Sequence, residues 1–158
     1  MTNEMKQDFT RRITQADSAQ MVVIIYEILN YYLGEAGDHL EEKRIDEFHE
    51  SIRHATGCLR ELIASINPES SLKGNLLSLY VYCTKVLASA DLHHRKEELD
   101  VVKDIVNRLY EAYRESVKDF KGDPVMKNTE TVYAGLTYGK EDLIVNINSA
   151  DPNRGFKA

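Results

Sequence analysis

The chain has 158 residues, of which 42% are hydrophobic and 29% are charged, and its formal net charge is −6. This length suits one domain with a substantial core, and the composition is typical of a helical protein. The acidic balance argues against nucleic-acid binding, which requires a concentrated basic face.

The first predicted helix covers residues 17–36. Asp17 is suited to cap the free amides of the first turn, and Gln20 is placed to bond back to the capping residue. Gly37 then follows as a left-handed stop. Apolar side chains cover roughly 220° of this helix, well above the ~100° stripe of an ordinary surface helix. The pattern therefore predicts a central helix.

The second predicted helix, residues 41–66, has one narrow apolar stripe and otherwise charged faces. The stripe consists of Ile45, Phe48, Ile52, Ala55, Leu59, Leu62, Ile63 and Ile66. Pro68 biases Asn67 away from helical geometry, and this pair is therefore expected to end the helix.

The third predicted helix, residues 71–90, carries more apolar surface than a single core requires. At about 100° per residue, one inward stripe forms. It consists of Leu72, Leu76, Leu79, Cys83, Val86, Leu87 and Ala90. Leu77, Tyr80 and Val81 lie roughly 80 to 180° away from the centre of that stripe. Either these three side chains form part of a groove that binds a partner, or the helix is central and covered on all sides.

The fourth predicted helix covers residues 94–120, and the Lys-Gly-Asp-Pro segment at 121–124 ends it. Short links between long amphipathic helices predict an all-α fold, an antiparallel up-and-down four-helix bundle, within a domain of residues 1–122.

Residues 123–158 show no sustained period of two or 3.6 and are predicted to form an irregular C-terminal tail. This tail is either a solvated, mobile extension or a short recognition element. The same two alternatives apply to residues 1–15.

Two acid–histidine pairs have the spacing that di-iron carboxylate bundles use, Asp46 with His49 and Asp91 with His94. The first pair lies beside the inward stripe of its helix, and the second lies at a helix junction, so we expect no metal site. The sequence also lacks a Gly-x-Ser-x-Gly turn, a phosphate-binding glycine loop and a Cys-x-x-Cys motif. It therefore predicts neither an enzyme nor a cofactor.

Features related to cellular location favour the cytoplasm. The N-terminus lacks the apolar stretch of a signal peptide, and the longest apolar run, residues 21–26, is too short to cross a bilayer. Cys58 and Cys83 fall within periodic helical segments, where a thiol usually serves as a small buried group. This cysteine usage fits a reducing compartment.

Four sequence blocks in order point to one family. The first is the polar run at 14–21 followed by Ile25-Tyr26-Glu27, and the second is Ile52, Ala55, Leu59, Glu61 and Leu62. The third is Leu72, then Asn75-Leu76 and Leu79-Tyr80-x-Tyr82; the fourth is Leu99, Val102, Ile105-Val106, Leu109, Ala112 and Tyr113. Over residues 13–113 the chain resembles the flagellar secretion chaperones of the FliS family. Ser18 and Ile28 depart from the family pattern, which has a proline and a small residue there, and the tail has no counterpart in it.

The resemblance implies a cytoplasmic helical bundle that holds the C-terminal segment of flagellin before export, prevents its premature polymerisation and delivers it to the flagellar export gate. We expect the client groove to include Leu77, Tyr80 and Val81, with Asn75, Leu76 and Tyr82 nearby. Tyr26 is either a further client contact or a core aromatic, and the same alternative applies to Tyr82. Either Ile13, before the first predicted helix, or residues 133–138 of the tail are expected to occupy the empty groove until the client displaces them. The protein is expected to be a monomer or weak dimer, and the alternative function is a homodimeric helical interaction protein without a flagellin client.

Overall fold

The computed structural model describes residues 1–118, 122 and 125. Within these residues the chain is all-helical, as predicted, but it has five helices. They are α1 (Asn3–Gln15), α2 (Ser18–Glu41), α3 (Ile45–Ala64), α4 (Lys73–His93) and α5 (Lys96–Ser116). The tail predicted at 123–158 lies outside the described residues, apart from Val125.

Helices α2 to α5 form a closed ring of contacts. Helix α2 packs against α3 and α5, and α4 completes the ring by packing against the same two helices, while α1 contacts α2 from outside. Each helix contributes buried apolar residues to one core: Tyr26, Leu29 and Leu33 from α2; Phe48, Leu59 and Leu62 from α3; Tyr80, Cys83 and Leu87 from α4; Leu99, Val102 and Val106 from α5.

Contacts across the ring join the start of one helix to the end of another. Lys96 at the start of α5 forms an ion pair with Glu41 at the end of α2. Tyr110, late in α5, donates its hydroxyl proton to Glu27, early in α2, at 3.3 Å. His49 of α3 contacts Asp91 near the end of α4, with 2.7 Å between Nδ1 and Oδ1.

The capping predicted for α2 is confirmed, and its predicted end is wrong. Asp17 Oδ1 accepts the N–H of Gln20 at 2.8 Å, and Gln20 Oε1 accepts the N–H of Asp17 at 3.1 Å. The helix then runs through Gly37, whose absent Cβ would lie 3.7 Å from a Leu99 methyl carbon. A Cβ at this position would make only an ordinary contact, so close packing does not require the glycine. The left-handed residue near the turn is Lys43, with φ 59°.

Residues 3–15 form a helix rather than a mobile segment. Thr2 caps α1 by accepting the N–H of Met5 at 3.3 Å. The helix folds back on α2, where Phe9 and Ala16 join Met21 and Ile24 in a second apolar cluster. Packing against α2 therefore supplies the stability that a short helix lacks by itself.

Both cysteines are free and buried, as the sequence indicated. Burial raises the pKa of the Cys58 thiol to about 12 and that of the Cys83 thiol to about 11. The two groups therefore remain neutral and pack as apolar side chains. None of the helices in the described part of the chain has the length and hydropathy of a membrane span.

Candidate partner-binding surface

Helix α4 exposes apolar side chains on both sides of its buried stripe. Leu77 and Val81, one turn apart, are 39% and 38% exposed. Tyr82 is 49% exposed on the other side, where Leu72 and Leu79 are also exposed. Several exposed apolar side chains on one helix are typical of a site that binds another polypeptide.

Tyr80 does not belong to that surface, so its predicted position on the exposed face is wrong. It is 2% exposed, and its hydroxyl oxygen lies 2.6 Å from that of Tyr26 on α2. The buried stripe of α4 is therefore rotated towards Tyr80 from the stripe expected on sequence, and this rotation exposes Leu72 and Leu79. Tyr26, fully buried, takes the alternative role of a core aromatic.

The two hydroxyls form a buried polar contact beneath the surface of α4. The ring of Tyr113 on α5 lies 5.4 Å from that of Tyr26, so the cluster joins three helices. Burial raises the pKa of Tyr80 to about 12, and burial together with the bond to Tyr80 raises the pKa of Tyr26. Both hydroxyls therefore stay protonated and share a neutral hydrogen bond.

A second apolar surface, on α2, is covered by α1. Glu27 joins three helices, since its Oε2 lies 2.5 Å from Arg12 Nη1 on α1 and its Oε1 accepts the bond from Tyr110 on α5. The hydrogen bond to Glu27 raises the pKa of Arg12. Ile13 packs in this second cluster, with Ile25 and other residues of α2. The structure thus places Ile13 in a different cluster from Leu76 and Tyr80.

The remaining residues predicted for the groove lie at the N-terminal half of α4. Asn75 is exposed, and Leu76 is half-buried against the main core. The structure therefore brings Asn75, Leu77, Val81 and Tyr82 to the surface, while Leu76 and Tyr80 lie beneath it.

A cavity of about 330 Å³ lies where α1, α2 and the end of α5 meet. It is lined by Arg12, Gln15, Ala16, Gln20, Val23, Ile24, Arg114, Val117 and Lys118. At the neighbouring α1–α2 junction, Gly122 donates its N–H to Asp17 Oδ2 at 3.2 Å, and Val125 donates its N–H to the carbonyl of Ala16 at 2.9 Å. Sequence reasoning missed these contacts, which join residues far apart in the chain.

Among the described residues, no group of three or more His, Cys, Asp or Glu side chains is arranged to hold a metal ion. Of the two acid–histidine pairs considered on sequence, Asp46 and His49 lie on α3, and Asp91 and His94 lie at the end of α4. His49 contacts Asp91, and its ring lies 5.4 Å from that of His94, the left-handed residue that ends α4.

The comparison with protein families agrees with the resemblance found in the sequence. The family model described as "Flagellar protein FliS" matches residues 1–119, so the family region includes α1 as well as α2 to α5. No curated protein shows a significant match to the chain. Because the family model covers more than half of its length, the chain belongs to the FliS family of flagellar export chaperones.

Proposed function

We propose that this protein binds the disordered C-terminal segment of flagellin in the cytoplasm, prevents its premature polymerisation and delivers it to the flagellar export gate. The observation that carries the proposal is the exposed apolar surface of α4, which includes Leu77, Val81 and Tyr82. An amphipathic helix of a client polypeptide binds such a surface through its apolar face. Membership of a flagellar export chaperone family supports flagellin as the client.

The groove residues differ in their proposed roles. Leu77, Val81 and Tyr82 contact the apolar face of the client. The exposed amide of Asn75 both donates and accepts hydrogen bonds, which suits it to backbone groups of the client. Tyr80 and Tyr26 hold the base of the surface through their buried hydroxyl contact, and Leu76 packs beside them.

The proposed scaffold is an antiparallel up-and-down four-helix bundle formed by α2 to α5. The contacts between Lys96 and Glu41 and between Tyr110 and Glu27 support antiparallel α2 and α5. The contact between His49 and Asp91 supports antiparallel α3 and α4. A bundle of this kind presents the surface of α4 on a rigid element. Residues 1–122 are proposed as the chaperone domain.

Helix α1 is proposed to cover client-binding surface on α2 when flagellin is absent. It shields Met21, Ile24, Ile25 and Ile28, and Ile13 is one of the covering side chains. A client that takes the place of α1 would gain this apolar surface without exposing it to water first. The site proposed for Ile13 is therefore the surface of α2 rather than that of α4.

Calorimetry with a peptide of the flagellin C-terminus tests the function. Burial of a leucine contributes roughly 1.5–3 kcal/mol, so Leu77→Asp is expected to weaken peptide binding by at least about tenfold. Val101→Asp is the matched control, because Val101 is also exposed and apolar but lies near the start of α5.

Two outcomes would contradict the proposal. One is unchanged peptide affinity in a folded Leu77→Asp protein. The other is a stable dimer in a sedimentation concentration series that excess peptide does not dissociate, which would favour a homodimeric interaction protein.

A further inference from the structure

The exposed surface of α4 has cationic neighbours although the chain as a whole is acidic. No aspartate or glutamate occurs in residues 70–90, whereas Lys73 and Lys85 lie in this segment and are exposed. The formal net charge of the whole chain is −6. The local charge of α4 is therefore opposite in sign to that of the molecule.

The two lysines and the two apolar residues share one row along α4. Lys73, Leu77, Val81 and Lys85 follow one another at intervals of four, and side chains at that interval are neighbours on a helix surface. At 1.5 Å per residue the row is about 18 Å long. It consists of a cation, two adjacent apolar side chains and a second cation.

In the proposed antiparallel bundle, a third cation, Arg60 of α3, is expected to lie near this row. The contact between His49 and Asp91 fixes one point where α3 meets α4. Eleven residues further along α3, Arg60 returns to nearly the same face as His49, at about 100° per residue. If α3 and α4 are antiparallel, the residue of α4 level with Arg60 lies eleven positions before Asp91. That residue is Tyr80, which is next to Val81.

Among the described residues, these three cations have no carboxylate partner, unlike several other cations. Within the described part of the chain, no carboxylate lies within 4.0 Å of the charged nitrogens of Lys73, Lys85 or Arg60. In contrast, Lys96 and Lys118 each have a glutamate partner. The charges beside the row are thus available to a partner.

We propose that this row selects an acidic amphipathic helix, with two adjacent apolar anchors and a carboxylate near each end. The inference rests on the proposed function, since it specifies the part of the client that lies on α4. Opposite charges at the rim of an interface raise the association rate and fix the register of the partner. The apolar anchors bind Leu77 and Val81, and the carboxylates approach Lys73 and Lys85.

The test uses the full chain and two peptides, the flagellin C-terminal peptide and the same peptide with every Asp and Glu replaced by its amide. At about 50 mM salt, the Lys73→Gln/Lys85→Gln double variant is expected to bind the acidic peptide between about four- and 25-fold more weakly, from roughly two- to fivefold for each lysine. The loss should shrink at about 300 mM salt, where charges are screened, and should be absent with the amide peptide.

The matched control is Lys6→Gln/Lys43→Gln, which changes the net charge equally at two exposed lysines outside α4. Equal affinities of the two double variants for the acidic peptide, with Leu77→Asp still impaired, would overturn the acidic partner and leave the binding surface intact. Loss of the Leu77→Asp effect would instead contradict the proposed function.

A separate observation concerns the α1–α2 junction. Asp17 is buried and uses both carboxylate oxygens, Oδ1 for the N–H of Gln20 and Oδ2 for the N–H of Gly122. The preceding residue, Ala16, accepts the N–H of Val125. Gly122 and Val125 lie beyond residue 119, where the family match ends.

We infer that the backbone at Gly122 and Val125 holds α1 against α2. Ala16 and Asp17 form the link at which the chain turns from α1 into α2. A movement of α1 that shifts the Ala16 carbonyl or the Asp17 carboxylate breaks the hydrogen bonds from Val125 and Gly122. These two bonds therefore oppose the exposure of the surface that α1 covers.

Hydrogen exchange of the α1 amides tests this role without any client. Asp17→Ser retains an efficient helix cap but has only one side-chain oxygen, so it loses the acceptor of Gly122. It is expected to accelerate exchange of the α1 amides by about two- to tenfold, the effect of one lost hydrogen bond. Truncation after Lys118 should accelerate exchange of the α1 amides at least as much.

Gln20→Ala is the control, because it disturbs the cap and leaves Asp17 Oδ2 unchanged. Equal α1 exchange in the full and truncated chains would overturn the inference.

Discussion

At the scale of single residues, the hydroxyl contact between Tyr26 and Tyr80 is the most informative feature, because it joins α2 and α4 inside the core. Tyr80→Phe would leave the Tyr26 hydroxyl buried without its partner. We expect the free energy of unfolding to fall by about 1–2 kcal/mol, measured by urea denaturation.

Two further variants separate this effect from general side-chain changes. Tyr26→Phe together with Tyr80→Phe should recover part of the loss, since both polar groups are then absent. Tyr82→Phe, at an exposed position, should change stability by less than about 0.5 kcal/mol. A loss as large in Tyr82→Phe as in Tyr80→Phe would show that the buried contact is not its cause.

At the scale of helices, α1 is the described helix with the fewest contacts, and it packs mainly on α2. Phe9 anchors it in the second apolar cluster. Phe9→Ala should therefore release α1 while the main core stays folded, so that hydrogen exchange becomes fast in α1 and remains slow in α3. The flagellin peptide should then bind more tightly, because opening of α1 no longer opposes it.

Thr10→Ala provides a control on the same helix, because Thr10 is not part of either apolar cluster. Slow exchange of α1 in the Phe9→Ala protein would contradict the proposed anchor. Equal loss of protection in α1 and α3 would show that α1 unfolds only with the whole domain.

At the scale of the whole molecule, buried thiol and phenol groups are expected to make the free energy of unfolding fall at alkaline pH. Burial raises the pKa of Cys58 from 9.0 to about 12, of Cys83 from 9.0 to about 11 and of Tyr80 from 10.0 to about 12. The unfolded chain loses these protons at lower pH than the folded protein. The stabilisation is therefore complete below about pH 9 and is lost as pH rises towards 12.

Urea denaturation between pH 8 and pH 11.5 measures this loss in the intact chain. The urea midpoint is expected to fall steadily above about pH 9. The slope should be smaller in Cys58→Ala, because one of the buried thiols is then missing. A midpoint independent of pH over this range would contradict the prediction.

Local sequence rules accounted for much of the fold. The helical periodicity of α2 to α5 and the capping pair Asp17 and Gln20 involve residues only a few positions apart, so they are readable without a structure. The family was also accessible, because four blocks occur in the expected order. The end of α2 was not accessible, because Leu40 packs against the core and Glu41 pairs with Lys96, and both contacts depend on where other helices lie.

The sequence by itself determined that this is a helical chaperone of the flagellar family with surplus apolar surface on α4. Only the tertiary structure decided which side chains form that surface. Tyr80 lies in the core with Cys83 and Leu87, where its hydroxyl contacts that of Tyr26, 54 positions earlier. Helix α1 is docked because α2 offers an apolar face. Both outcomes depend on contacts between distant parts of the chain, which the periodicity of one helix does not contain.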